Sequence, residues 1–267
     1  MYLKHYNFLE MPFNITPDPR FLYYSKHHRE AYDHLMYGIT QRKGFIELTG
    51  EVGSGKTTLC RALLSSLEDD VQTALILNPS LTETQLIRAM LNDFGLEPTS
   101  EDHLAYIECL NDFLLNQYHA GINVALLIDE AQNLTPQVME QVRLLSNLET
   151  DQYKLIQIVL CGQPELKQRL KRPDLRQLRQ RITVRYNLPP LTVEETGDYI
   201  RHRISVAGPQ SKACFSSGAV KTIYRYTRGC PRMINAACDN ALLSGYVEGV
   251  QTISSKDVKR AIRQLEG

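Results

Sequence analysis

The chain has 267 residues, 43% of them hydrophobic, with 30 basic and 30 acidic side chains. That length can bury a sizeable core, as one large domain or as a larger domain with a smaller one attached. The balanced charge gives no global footprint for nucleic acid or a membrane surface, the N-terminus lacks the apolar run of a signal peptide, and no stretch approaches the roughly 20 apolar residues that span a bilayer.

The opening segment, Phe8 to Tyr24, is rich in proline and aromatics, with Pro12, Pro17 and Pro19 within eight residues, which forbids a regular helix there. Ser25 is placed to cap a helix carrying Ala31, Leu35, Met36 and Ile39 on one face. Phe45 to Thr49 reads as a strand running into a glycine loop, followed by a helix from Lys56 to Leu67. Ala74 to Leu77 reads as a second strand, and Thr82 to Phe94 and Asp102 to Tyr118 as amphipathic helices. Val124 to Ile128 is a continuous apolar run, as expected of a strand covered on both faces. Pro136 to Leu148 reads as a helix, Leu155 to Leu160 as a buried strand, and Ile182 to Tyr186 as the last strand. After Pro189-Pro190 only helices are expected: Val193 to Val206, Ser217 to Tyr226, Pro231 to Tyr246 and Ser255 to Leu265. Strands alternating with helices predict an α/β fold with a parallel sheet, and the double proline suggests a base of residues 1–188 and a helical domain of residues 189–267. Six widely spaced cysteines, with no Cys-x-x-Cys pair, read as reduced thiols rather than a zinc site.

Gly50-Glu51-Val52-Gly53-Ser54-Gly55-Lys56-Thr57 matches G-x-x-x-x-G-K-[ST] in full. The glycines let the backbone curl so that its N–H groups face phosphate oxygens, and the following helix presents its positive end to the same anion. Lys56 would reach the β- and γ-phosphates, Thr57 would ligate Mg²⁺, and Thr58 completes the nucleotide-binding set. The ligand expected is a nucleoside triphosphate, ATP with Mg²⁺; the chain has no guanine-reading Asn-Lys-x-Asp, and the loop alone does not separate ATP from GTP. At the end of the most apolar strand, Asp129 would hold the Mg²⁺ shell and Glu130 would polarise the attacking water as general base. After the next strand, Gln163 is placed to bond the γ-phosphate or the attacking water. The basic stretch from Lys167 to Arg185 contains Arg181, the first choice for an arginine reaching a neighbouring subunit's γ-phosphate, and Arg179, the second. In Gly229-Cys230-Pro231-Arg232, the proline at a first helical position puts Arg232 where it opposes the helix dipole, a cost that points to contact with the γ-phosphate.

Together these five elements resemble an AAA+ ATPase, with its Walker A and Walker B motifs, first sensor, arginine-finger region and second-sensor Gly-x-Pro-Arg. The resemblance covers nearly the whole chain. It implies a P-loop fold with a five-stranded parallel sheet in the order 5-1-4-3-2, a C-terminal helical lid, and a nucleotide-dependent homo-oligomer. A narrower resemblance is to the ExeA-type family of general secretion pathway protein A and its pilus and exosortase relatives. It is carried by Tyr6, Met11-Pro12-Phe13, Thr16-Pro17-Asp18-Pro19-Arg20-Phe21, Gly44-Phe45-Ile46, Thr49 to Gly53, Asp129-Glu130-Ala131-Gln132, Gly162-Gln163-Pro164-Glu165-Leu166 and Gly229-Cys230-Pro231-Arg232. It implies work on a bacterial envelope machine of secretion or pilus type, in the cytoplasm or peripherally at the inner membrane, and an opening segment near the adenine through Phe13, Ile15 and Pro17. The family's longer members carry a membrane span and a peptidoglycan-binding region after the ATPase. The sequence given stops at Gly267 with neither, so a stand-alone homologue and an isolated ATPase domain are both expected forms. Two other readings compete: a DNA-acting ATPase of transposition-helper type, supported by the basic stretch and opposed by the neutral net charge, and a nucleotide-gated binding switch.

Overall fold

The apolar runs become strands and the amphipathic stretches become helices, with boundaries within a few residues of those the sequence predicts. The computed structural model describes residues 2–67, 71–77, 79–150 and 153–266. Helix α1 (Tyr2–Tyr6) precedes an irregular segment with a 3-10 turn at Pro19–Phe21, and α2 (Lys26–Thr40) follows. Strand β1 (Phe45–Gly50) enters the glycine loop, which ends at α3 (Lys56–Leu67). Next come β2 (Val71–Ile76), α4 (Glu83–Asp93), α5 (His103–His119), β3 (Asn123–Ile128), α6 (Pro136–Leu145), β4 (Gln157–Gly162), α7 (Pro164–Arg169), α8 (Arg176–Arg181) and β5 (Ile182–Leu188). The remainder is α9 (Val193–Ala207), β6 (Cys214–Phe215), α10 (Ser217–Thr227), α11 (Pro231–Val247), β7 (Thr252–Ile253) and α12 (Ser255–Glu266). Packing divides the chain into two compact units. One comprises Arg29–Gly50 and Leu59–Leu188, the other Met1–His28, Glu51–Thr58 and Pro189–Gly267.

The first unit is built on one parallel sheet in the order β5-β1-β4-β3-β2, the order the resemblance implies. The three inner strands are buried at every position, whereas edge strands β2 and β5 interleave buried with more open residues. Continuous apolar sequence is what a strand covered on both faces requires. The edge pattern also explains why the sequence placed β2 three residues late: Gln72 and Thr73 interrupt its apolar run. One face buries Ile128, Ile158 and Leu160 with Leu86 of α4, Leu110 of α5 and Val142 of α6. On the other face, α2 comes so near that a β-carbon on Gly38 would meet Ile46 Cδ1 at 2.5 Å. Helix starts are set by side chains: Thr82 and Gln85 form a capping box on α4, Asp102 caps α5 and Thr135 caps α6. Helix α6 stops at Leu145, three residues before the expected end.

The second unit contains the expected helices α9 to α12. A short parallel pair, β6 with β7, corrects the expectation of helices only. At two residues each, these strands are too short to leave a period in the sequence. The opening segment, expected with the α/β base, packs in this unit. Tyr2, Tyr6, Phe8, Phe13 and Phe21 share a core with Leu191, Ile200, Ala237 and Leu242. Arg203 of α9 holds it in place. Its guanidinium is buried, donates to the carbonyls of Pro12 (2.6 Å) and Asn14 (3.0 Å) and to the Tyr199 hydroxyl (2.9 Å), and lies 4.8 Å from the Phe21 ring centre. Carbonyls without helical or strand partners, in a segment rich in proline, are satisfied by this one side chain. Among the described residues, no helix is long and apolar enough to cross a membrane.

Candidate functional site: a phosphate loop and a sheet-edge carboxylate

The loop begins as β1 ends. Gly53 and Gly55 have φ of +74° and +97°, the left-handed region that a β-carbon penalises. The Ser54 N–H donates to the Glu51 carbonyl at 3.1 Å, and Lys56 Nζ donates to the same carbonyl at 2.9 Å. The Ser54 hydroxyl is buried with no hydrogen-bond partner. Helix α11 begins against this loop: the Arg232 N–H donates to the Gly53 carbonyl at 3.2 Å, and the Cys230 thiol donates to the Val52 carbonyl at 3.3 Å. A β-carbon on Gly53 would lie 2.3 Å from Arg232 Cβ, so only glycine admits the arginine there. The structure thus brings together the loop and Arg232, which the sequence had linked only through a shared ligand. Two left-handed glycines, an unpartnered buried hydroxyl, a lysine and the N-terminus of a twelve-residue helix make a donor set suited to a polyphosphate. Of the opening segment's expected adenine contacts, Phe13 is buried against Phe215, whereas Ile15 is 67% exposed.

The second cluster lies at the C-terminal edge of the sheet. Asp129 follows β3 directly, is buried, donates its N–H to the Ile76 carbonyl at 2.8 Å, and accepts the Glu130 N–H on Oδ1 at 2.8 Å. Glu130 sits at φ +49°, a left-handed conformation uncommon outside glycine. Its Oε2 accepts from Gln163 Nε2 at 2.9 Å and from Gln132 Nε2 at 2.5 Å. Gln132 is itself buried and its Oε1 accepts the Gln163 N–H at 3.0 Å. Arg169 donates to the carbonyls of Gln132 and, at 2.6 Å, Leu134. A β-carbon on Gly162 would reach Gln132 Oε1 at 2.7 Å, so the glycine before Gln163 makes room for this amide. Gln163, expected at the γ-phosphate or the attacking water, therefore bonds the proposed base. Gln132 was missed as a site residue. Its only signal was its place two residues after Glu130 in Asp-Glu-Ala-Gln. Thr57 and Asp129 offer hard oxygen donors, the kind Mg²⁺ takes.

Four arginines of the basic stretch, Arg169, Arg172, Arg181 and Arg185, are engaged within their own unit. Arg181 donates to the Ser146 hydroxyl and to the Arg143 carbonyl (3.3 Å), satisfying the C-terminal end of α6. Arg185 pairs with the buried Glu47 at 3.3 Å and donates to the Arg179 carbonyl at 2.6 Å, and Arg172 pairs with Asp174 at 3.1 Å. Burial pushes the Glu47 carboxyl above its ordinary range against the pull of Arg185.

Residues 39–170 match a family model described as an AAA domain. The whole chain is 45% identical, over 268 residues, to general secretion pathway protein A of Aeromonas hydrophila, of which it covers 49%. It is 25% identical over 243 residues to an HTH-type transcriptional regulator of Methanocaldococcus jannaschii, covering 86% of this chain and 59% of that one. The chain thus spans about half the length of the curated relatives it matches. Among solved structures, the Aeropyrum pernix ORC2 protein matches with a TM-score of 0.69 at 16% identity, over 96% of this chain and 71% of that one. The Thermotoga maritima RuvB Holliday junction branch migration motor matches with a TM-score of 0.61 at 18% identity, over 91% and 70%. At such identities the likeness establishes the fold, that of P-loop AAA+ proteins.

Proposed function

We propose that this chain, which belongs to the AAA+ P-loop proteins and is related along its whole length to general secretion pathway protein A, hydrolyses ATP with Mg²⁺ and couples nucleotide state to its own assembly and to that of a bacterial envelope machine. The observation that carries hydrolysis, beyond mere binding, is the Glu130 carboxylate held by two amide donors one residue after Asp129. A general base must be aimed, and two convergent amides aim it. Gly50 to Thr58 supply backbone N–H groups for the phosphates, Lys56 supplies a cation for the β- and γ-phosphates, and Arg232 brings a second cation to the loop. Thr57 and Asp129 would hold Mg²⁺, which when bound neutralises phosphate charge. Glu130 takes the proton of the attacking water, and Gln163 fixes the carboxylate that does so.

The envelope setting rests on the relationship of the whole chain to about half of a general secretion pathway protein, and we place the chain on the cytoplasmic side, where ATP is available. The DNA-acting reading loses support from the arginines, since Arg169, Arg172, Arg181 and Arg185 have partners within their own unit. The test is phosphate release by the purified chain. It should be abolished in Glu130→Gln, with ATP binding retained. No release under any condition that promotes assembly refutes the reading. Mass measured against concentration, with and without a non-hydrolysable ATP analogue, tests the coupling: a mass indifferent to nucleotide removes it.

A further inference from the structure

His28 lies at the start of α2, outside every motif in the sequence, and is buried. Its Nε2 is 3.1 Å from the Ser54 carbonyl oxygen and its Nδ1 is 2.7 Å from the Ser25 hydroxyl. A carbonyl can only accept, so Nε2 carries the proton. Nδ1 then offers a lone pair, and the Ser25 hydroxyl donates to it. The same hydroxyl oxygen accepts the His28 N–H at 3.3 Å, the capping bond of α2. Every donor and acceptor around the ring is matched only in the neutral, Nε2-protonated form. Burial lowers the pKa of the ring and outweighs the upward pull of the Ser54 carbonyl and of Glu195, while His27 pushes in the same direction as burial.

We infer that His28 is a positioning residue of the phosphate loop, fixing the peptide plane between Ser54 and Gly55. The peptide is planar and trans, so a carbonyl held toward His28 turns the Gly55 N–H to the opposite side. On the reading that the loop holds a triphosphate, on which this inference rests, that is the donor a phosphate oxygen needs. Gly55 fits the arrangement twice over: its φ of +97° is left-handed, and a β-carbon there would approach His28 Nε2 to 3.1 Å. The ring thus braces a loop whose other bonds run through Glu51 within it and from Cys230 and Arg232 outside it.

Glutamine and asparagine separate this role from plain packing. The amide nitrogen of His28→Gln reaches the place of Nε2 and can still donate to Ser54, whereas that of His28→Asn stops near Nδ1 and cannot. With a fluorescent ATP analogue and the full chain, His28→Asn and His28→Ala should bind about tenfold or more weakly, and His28→Gln within about threefold of the parent, as expected for one buried carbonyl left unsatisfied. Long-range ¹H–¹⁵N spectra of the parent should show the Nε2-protonated neutral tautomer at neutral pH. Equal affinities for the Asn and Gln variants, or an Nδ1-protonated or cationic ring, overturn the inference. If the variants fail to fold, the spectrum of the parent decides. Absence of ATP binding by the parent itself would sink the nucleotide reading, and the spectrum would still score His28 separately.

Discussion

Removing the Gln132 side chain should slow hydrolysis far more than it weakens nucleotide binding. Gln132 does two jobs at once. Its Oε1 accepts the Gln163 N–H at 3.0 Å, and its Nε2 donates to Glu130 Oε2. In Gln132→Ala the Gln163 N–H loses its acceptor, at about 1–3 kcal/mol, and a hydrogen bond to a charged group, worth about 1.5–3 kcal/mol, is lost. Because Glu130 keeps the Gln163 amide and gains water, the net cost should be about 2–4 kcal/mol, a drop of about 1 M in the urea midpoint. That leaves the chain folded. With one of its two guides gone, the base should lose part of the 10²–10⁴-fold such a group contributes, so kcat should fall by roughly ten- to a hundredfold while KM changes little. Gln132→Glu keeps the shape and the acceptor for the Gln163 N–H but sets a second carboxylate against Glu130. It should lose kcat at least as severely, since two carboxylates so close cannot both stay ionised. Steady-state phosphate release and urea unfolding read both quantities. Parental kcat in both variants would refute the view that Gln132 aims Glu130, even if the midpoint falls.

Gly53→Ala forces a β-carbon into a left-handed residue, at about 1–2 kcal/mol, and into the Arg232 β-carbon, so ATP affinity measured by titration should drop at least tenfold; unchanged affinity would remove the loop–Arg232 contact from the site. Arg181→Ala should lower the urea midpoint, since it strips the α6 terminus of its donors at about 1–2 kcal/mol, whereas Arg179→Ala should leave the midpoint alone and reduce turnover if Arg179 is the arginine that acts in trans. Glu47 tests the electrostatics of the sheet. Because burial raises its pKa in the folded chain, ionising it costs stability, and that stability is present at low pH and lost as pH rises through the raised value. Glu47→Gln should therefore gain on the parent as pH is raised from about 4 to about 7, by denaturant midpoint; a constant difference across that range would contradict the direction of the shift.

The sheet was readable because its inner strands must be apolar on both faces, and Val124 to Ile128 states that requirement in five letters. Its order was not in the pattern of apolar residues. It came from the resemblance carried by the loop and carboxylate motifs, because strand order depends on crossovers that periodicity does not encode. Capping was legible one residue at a time: Ser25, Asp102 and Pro136 marked helix starts, and each helix begins there or one residue on. The opening segment was legible as non-helical but not as to its partner. Proline says what a segment cannot be, and nothing in Pro12 or Asn14 says that a buried Arg203, 189 residues from Asn14, will take their carbonyls.

The candidate site divides along the same line. A backbone that must curl needs glycine, so the loop announces itself, and an acid at the end of a buried strand is conspicuous because the run before it is so apolar. Residues that act through side-chain amides or a neutral imidazole leave no such mark. Gln132 and His28 are uncharged, and each is defined by a partner more than 20 residues away, Gln163 for Gln132 and Ser54 for His28; Gln163 was legible from its place after a strand, but its bond to Glu130 was not. Gly162 and Gly55 are the traces these side chains leave in the sequence, since each glycine is small where a neighbouring amide or ring must fit. A glycine next to a catalytic motif, with no turn of its own to explain it, therefore points to an unseen polar side chain packed against it. Gly162 is the case in point: it lacks a left-handed φ, and a β-carbon there would meet the Gln132 amide oxygen at 2.7 Å as well as the Leu166 side chain at 2.9 Å.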